Sequence, residues 1–153
     1  MSRRLIPPAL LLALALGACA NDRMAAPGYA WSYMDNSGEG LKLAYGRPNS
    51  DDVVMMLACA PSSSSVTLTA TSLPGREIAL ASGRAVTRLP AQPLASDMAE
   101  GLLQAHTSTD AAALSAFRRT GDLTLLVTGE RHSLDAAPGD RAGVKAFFKA
   151  CGT

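Results

Sequence analysis

Val53-Val54-Met55-Met56-Leu57-Ala58-Cys59 is a seven-residue run with apolar side chains at both parities. It is short for a buried helix, has the length of a strand, and its apolarity on both sides suits a central strand covered on both faces. Gly46-Arg47-Pro48-Asn49 breaks the chain before it, and Pro61 with the four serines at 62–65 breaks it after. Strand signals spread outward from this run. Upstream, Leu41, Leu43 and Tyr45 alternate with Lys42 and Ala44, while Trp31 and Tyr33 flank Ser32; Asn36-Ser37-Gly38-Glu39-Gly40 supplies the turn of a hairpin. Downstream, Val66, Leu68 and Ala70 face one way and Thr67, Thr69 and Thr71 the other, the pattern of a strand with one wet face. Pro74-Gly75 turns the chain, positions 78–81 and 84–89 read as short strands around Ser82-Gly83, and the prolines at 90 and 93 end the pattern.

The second half changes period. Positions 94–107 fit a helical turn or a strand, with 101–106 leaning to strand. Beyond Asp110, Ala113, Leu114 and Phe117 share one helical face, Ser108 or Thr109 is placed to cap it, and Gly121 stops it behind Arg118 and Arg119. Leu123, Leu125 and Val127 mark a strand, with Gly129-Glu130 as the expected hairpin turn into 131–134. Val144, Phe147, Phe148 and Cys151 then fall at i, i+3, i+4 and i+7, opposite a stripe of Arg141, Lys145 and Lys149, with Asp140 as the expected cap. The expectation is one α+β domain: a mainly antiparallel sheet of six to eight strands and two helices in the C-terminal half.

The N-terminus carries an address. Arg3 and Arg4 precede an apolar stretch over positions 5–16, and Leu16-Gly17-Ala18-Cys19 closes it with small residues before a cysteine. In this the chain resembles the bacterial lipoproteins. The resemblance implies a signal peptide at 1–18, cleavage before Cys19, diacylglycerol on the Cys19 thiol, and a product facing the periplasm from a membrane of the cell envelope. Residues 19–28, small and polar up to Pro27-Gly28, read as a lipidated tether, and 29–153 as the globular domain. The apolar stretch is shorter than the roughly twenty residues a spanning helix needs. Without Arg3 and Arg4, 12 basic residues face 13 acidic ones, a balance that argues against nucleic acid as a partner.

With Cys19 lipidated, Cys59 and Cys151 remain as an even pair in an oxidising compartment. Cys59 ends the apolar strand and Cys151 lies on the apolar face of the last helix. Both thiols should point inward, and a disulfide between them is expected.

No catalytic constellation emerges. His106 and His132 have neither metal-ligand spacing nor a neighbouring ligand cluster, so no metal or cofactor is expected. Asp51-Asp52 reads as a turn, and no nucleophile elbow is present. Ala81-Ser82-Gly83-Arg84 is similar to the Ser-Gly loop by which small lipoprotein inhibitors of c-type lysozyme enter the lysozyme cleft, although the Trp-x-Lys-Gly that follows in that family is missing and Arg88 is the nearest basic substitute. The sequence therefore leads to a non-enzymatic, membrane-anchored envelope module that binds an envelope protein or a peptidoglycan-related partner. The alternative is a muramidase inhibitor acting through a binding loop of Ser82, Gly83 and Arg84.

Overall fold

The structure, a computed structural model, describes residues 22–23, 25–36, 38–95 and 101–152. Turn-forming clusters divide the described chain into β1 (Asp22–Arg23), β2 (Ala30–Asn36), β3 (Gly40–Gly46), β4 (Val53–Cys59), β5 (Ser65–Ala70), β6 (Glu77–Ser82), β7 (Ala85–Pro90), β8 (Gln92–Pro93), β9 (Leu103–Ser108), α1 (Ala112–Thr120), β10 (Thr124–Val127), β11 (Glu130–Ser133) and α2 (Arg141–Cys151). The fold is a single α+β domain with both helices in its C-terminal half.

The expected single sheet is two. One runs β2-β3-β4-β5-β9-β8 and the other β1-β11-β10-β6-β7, antiparallel throughout except for the parallel pair of β1 with β11. The split falls where alternation is broken by Pro74-Gly75: β6 leaves β5 and pairs instead with β7 and β10. The prolines at 90 and 93 do not simply end the pattern. Ala91 donates its N–H to the Arg76 carbonyl, and the next two residues pair with β9, so the chain crosses between sheets in one step.

β4 is central in hydrogen bonding, held by β3 and β5, but it is not covered on both faces. Met55, Leu57 and Cys59 are buried, whereas Val54, Met56 and Ala58 are half-buried. An antiparallel sheet needs only one packed face, and here α2 lies over β2 and β3 on the inner side. α1 packs on β6 and β7, and the helices touch each other, so the core forms where both sheets and both helices converge. Gly46 is required where β3 bulges against β4: a Cβ there would come within 2.9 Å of the Val53 Cα.

Of the expected caps, the one at α1 is replaced from elsewhere in the chain and the one at α2 keeps its place but turns its side chain to a distant partner. Ala111 stands at the N-cap of α1, and the Ala113 N–H of its first turn donates to Thr87 Oγ1 of β7 at 3.0 Å. At α2 Asp140 stands at the N-cap as expected, but its carboxylate makes no cap bond and instead accepts the backbone N–H of Trp31 at 3.1 Å. The hairpin turn is Thr128-Gly129, one residue earlier than expected, because Val127 pairs with Glu130. Both turn residues have positive φ, +46° and +84°, the signature of a type I′ turn. Gly121 does close α1 at φ +82°, donating its N–H to the Phe117 carbonyl.

Candidate functional site

The expected signal peptide at 1–18, the expected lipidation position Cys19 and part of the expected 19–28 tether lie outside the described residues. The described part of the tether is held to the domain. Asp22 and Arg23 pair with Arg131 and His132 on the edge of the second sheet, and Tyr29 donates its N–H to the Ala26 carbonyl to close a turn. Only two residues therefore separate Cys19 from a paired strand, a reach of about 10 Å for extended chain.

The Cys59 and Cys151 sulfurs sit at disulfide distance, with their Cα atoms 5.9 Å apart across 92 positions of sequence. Both residues are buried. The bridge ties the last turn of α2 to the end of the β4 strand.

The Ser82 turn is a tight connection between β6 and β7, in which Ser82 pairs with Ala85 and leaves Gly83 and Arg84 exposed. Ser82 itself is only 4% exposed, its hydroxyl 3.5 Å from that of Thr120 on α1. A partner at this turn would meet Gly83 and Arg84, not the serine hydroxyl.

The two histidines are not brought together. His106 is exposed on β9 of the first sheet, with Nδ1 3.4 Å from Thr67 Oγ1. His132 lies on β11 of the second sheet, Nε2 3.3 Å from Glu130 Oε2. Asp51 and Asp52 are exposed between β3 and β4, where Asp52 accepts a hydrogen bond from the Tyr29 hydroxyl and faces Arg47 at 3.9 Å. The Tyr29 hydroxyl is held above its ordinary pKa chiefly by that hydrogen bond to Asp52.

What the structure does gather is positive charge. Arg118 and Arg119 on the last turn of α1 meet Arg141, Lys145 and Lys149, the polar stripe of α2, along a groove between the helices. Its wide part, about 570 Å³, lies over Phe148; a narrow recess of about 30 Å³ adjoins it beside Gly121 and Val144. Among the described residues, no acidic side chain lines either part. Arg119 is steadied by the Ser115 hydroxyl at 2.9 Å, and Arg141 reaches the Ala136 carbonyl at 3.4 Å while its guanidinium lies against Gly121. The sequence shows the α2 stripe but not its partner stripe, because Arg119 and Arg141 lie 22 positions apart and only the packing of α1 on α2 joins them. The clefts on the second sheet differ: the one beside the Thr128-Gly129 turn mixes Arg76, Arg88 and Arg131 with Glu77 and Glu130.

The sequence shows Tyr45 only as an inward strand position. In the structure it is 2% exposed, and among the described residues its hydroxyl is the one buried side-chain polar atom with no hydrogen-bond partner. Burial, and then the carboxylates of Asp135 and Asp140, push its pKa up.

No family model, curated protein or solved structure matches this chain.

Proposed function

We propose that this protein is a lipid-anchored, non-enzymatic binding module of the bacterial cell envelope, tethered through Cys19 and facing the periplasm. The observation that carries the reading is the pairing of β1 with β11 directly behind the lipidation position. A chain that only needed a leash would leave this segment free; pairing it to the sheet edge holds the domain within about 10 Å of the acylated residue and satisfies backbone groups that an open edge would expose. One acyl chain binds membranes marginally and two or three bind stably, so the anchor suffices without a membrane-spanning helix. The bridge between Cys59 and Cys151 suits an oxidising compartment. Intact-mass measurement of the mature membrane-fraction protein tests this: a diacylglyceryl adduct on an N-terminal Cys19, lost with release to the soluble fraction in Cys19→Ser, is expected. An uncut or unacylated chain overturns it.

Muramidase inhibition through the Ser82 turn is the second reading. It is favoured by position, since Gly83-Arg84 lies at the end of β6 opposite the β1 side, where Thr124 pairs with Ala81. Arg84→Ala in the soluble domain should then relieve inhibition of a c-type lysozyme; no inhibition by the unaltered domain in molar excess removes this reading.

A further inference from the structure

The α1–α2 groove holds five of the chain's 14 Lys and Arg residues, although the domain as a whole is nearly neutral. Helix dipoles account for only part of this. Arg118, Arg119 and Lys149 sit in last turns, where cations are favoured. Arg141 is the first residue of α2, at the positive end of the dipole, in a first turn that contains no acidic residue. Lys145 follows four positions later and Lys149 four after that, so like charges stack along one face of α2 at the spacing where they repel. Arg118 and Arg119 then bring the last turn of α1 against the same stripe. The acids nearest in the chain are committed elsewhere or stand apart: half-buried Asp140 accepts the Trp31 N–H, and exposed Asp122 lies beyond Gly121, outside the groove lining. The fold concentrates mutually repelling cations above the buried rings of Phe117 and Phe148, an arrangement that an anion crossing the groove relieves.

We propose that this groove is a binding site for an acidic polymer whose carboxylate or phosphate groups repeat along its length. A single small anion would occupy the recess beside Gly121, whereas the wide part extends the row of cations to Lys149. The groove's place on the domain, with its recess beside Gly121 just before β10, favours a polymer over the anchoring bilayer. α1 delivers the chain to Thr124 and α2 follows Ser133, and these two residues pair at one end of the β10–β11 hairpin; β1 joins β11 from the other end, at Arg131. This orientation rests on the anchored-module reading above, while the binding itself does not.

The test uses the soluble Cys19→Ser chain with poly-L-glutamate, polyphosphate and phosphatidylglycerol vesicles as probes. Binding to at least one of the two polymers is expected, weakening steeply as salt rises because each neutralised charge releases a counterion. Lys145→Gln with Lys149→Gln should weaken it at least tenfold and, by removing like-charge repulsion, leave the melting temperature unchanged or higher. Arg47→Gln with Arg76→Gln, an equal charge loss outside the groove, should alter affinity less than twofold. The proposal is overturned if neither polymer binds, if vesicles bind and the polymers do not, or if the two double variants weaken binding equally. Which polymer binds more tightly assigns the carboxylate or the phosphate source. Because the anchor is absent, failure here leaves the lipidation reading standing, and failure of lipidation leaves this result standing.

Discussion

The Trp31 indole N–H donates to the Leu134 carbonyl at 2.6 Å, a buried hydrogen bond spanning 103 positions of sequence. It joins β2 of the first sheet to the residue that follows β11 of the second. The same tryptophan packs 5.3 Å from Tyr45 and 5.1 Å from Phe117, ring centre to ring centre, and its backbone N–H is held by Asp140. One residue thus fastens both sheets and the start of α2.

Trp31→Phe should therefore cost more than its change in size. It leaves the Leu134 carbonyl buried without a donor, at about 1 to 3 kcal/mol, and opens a void beside Phe117. Urea unfolding followed by far-ultraviolet circular dichroism should show a loss of about 2 to 4 kcal/mol. A loss below about 1 kcal/mol would mean that the hydrogen bond contributes little to joining the sheets.

Reduction should weaken the domain without dissolving its architecture. Closing 92 residues is worth up to about 4 to 5 kcal/mol in the chain-entropy picture. The denaturation midpoint in reductant, or in Cys59→Ala with Cys151→Ala, should fall accordingly. Amide exchange should accelerate first in α2, whose last turn the bridge holds.

Tyr45 predicts an unusual pairing of effects. Tyr45→Phe removes a buried hydroxyl that has no partner while keeping the ring against Trp31, so stability near neutral pH should hold or rise, by up to about 1 to 2 kcal/mol. In the native chain the folded state keeps the phenol protonated at pH values where the unfolded chain, with a tyrosine pKa near 10, loses the proton. Stability must then fall as pH rises above about 10, because the native state binds more protons there. Tyr29 and Tyr33 are raised as well, Tyr33 by burial first, and contribute in the same direction. Tyrosinate absorbance should appear late, and the alkaline loss of stability should shrink in Tyr45→Phe; equal pH profiles would refute this account.

Thr87→Val keeps shape and removes the hydroxyl that accepts the Ala113 N–H. The first turn of α1 has no cap of its own, so about 1 kcal/mol should be lost, the usual worth of an N-cap. Restoration by Thr87→Ser would show that the hydroxyl, not the methyl group, matters.

Much of this fold is legible along the chain because burial repeats with the period of the element. Val66, Leu68 and Ala70 are buried on β5 against half-buried threonines, and Val144, Phe147, Phe148 and Cys151 are the buried residues of α2. Gly121 ends α1 for a purely local reason, its left-handed backbone. Capping is not legible in the same way: Ser108, Thr109 and Asp140 suit local roles, while Thr87 and Trp31 claim those hydrogen bonds from a distance.

The sequence by itself determined the class of fold, the buried faces of β5 and of both helices, and the two cysteines that meet, because side-chain periodicity and turn chemistry act over a few residues. Only the tertiary structure decided that the strands divide into two sheets, that Ser82 turns inward, that Tyr45 is sealed in without a partner, and that two cationic stripes form one groove. Each of these depends on which distant segment supplies a backbone edge, a hydroxyl or a charge, and such pairings leave no local period to read.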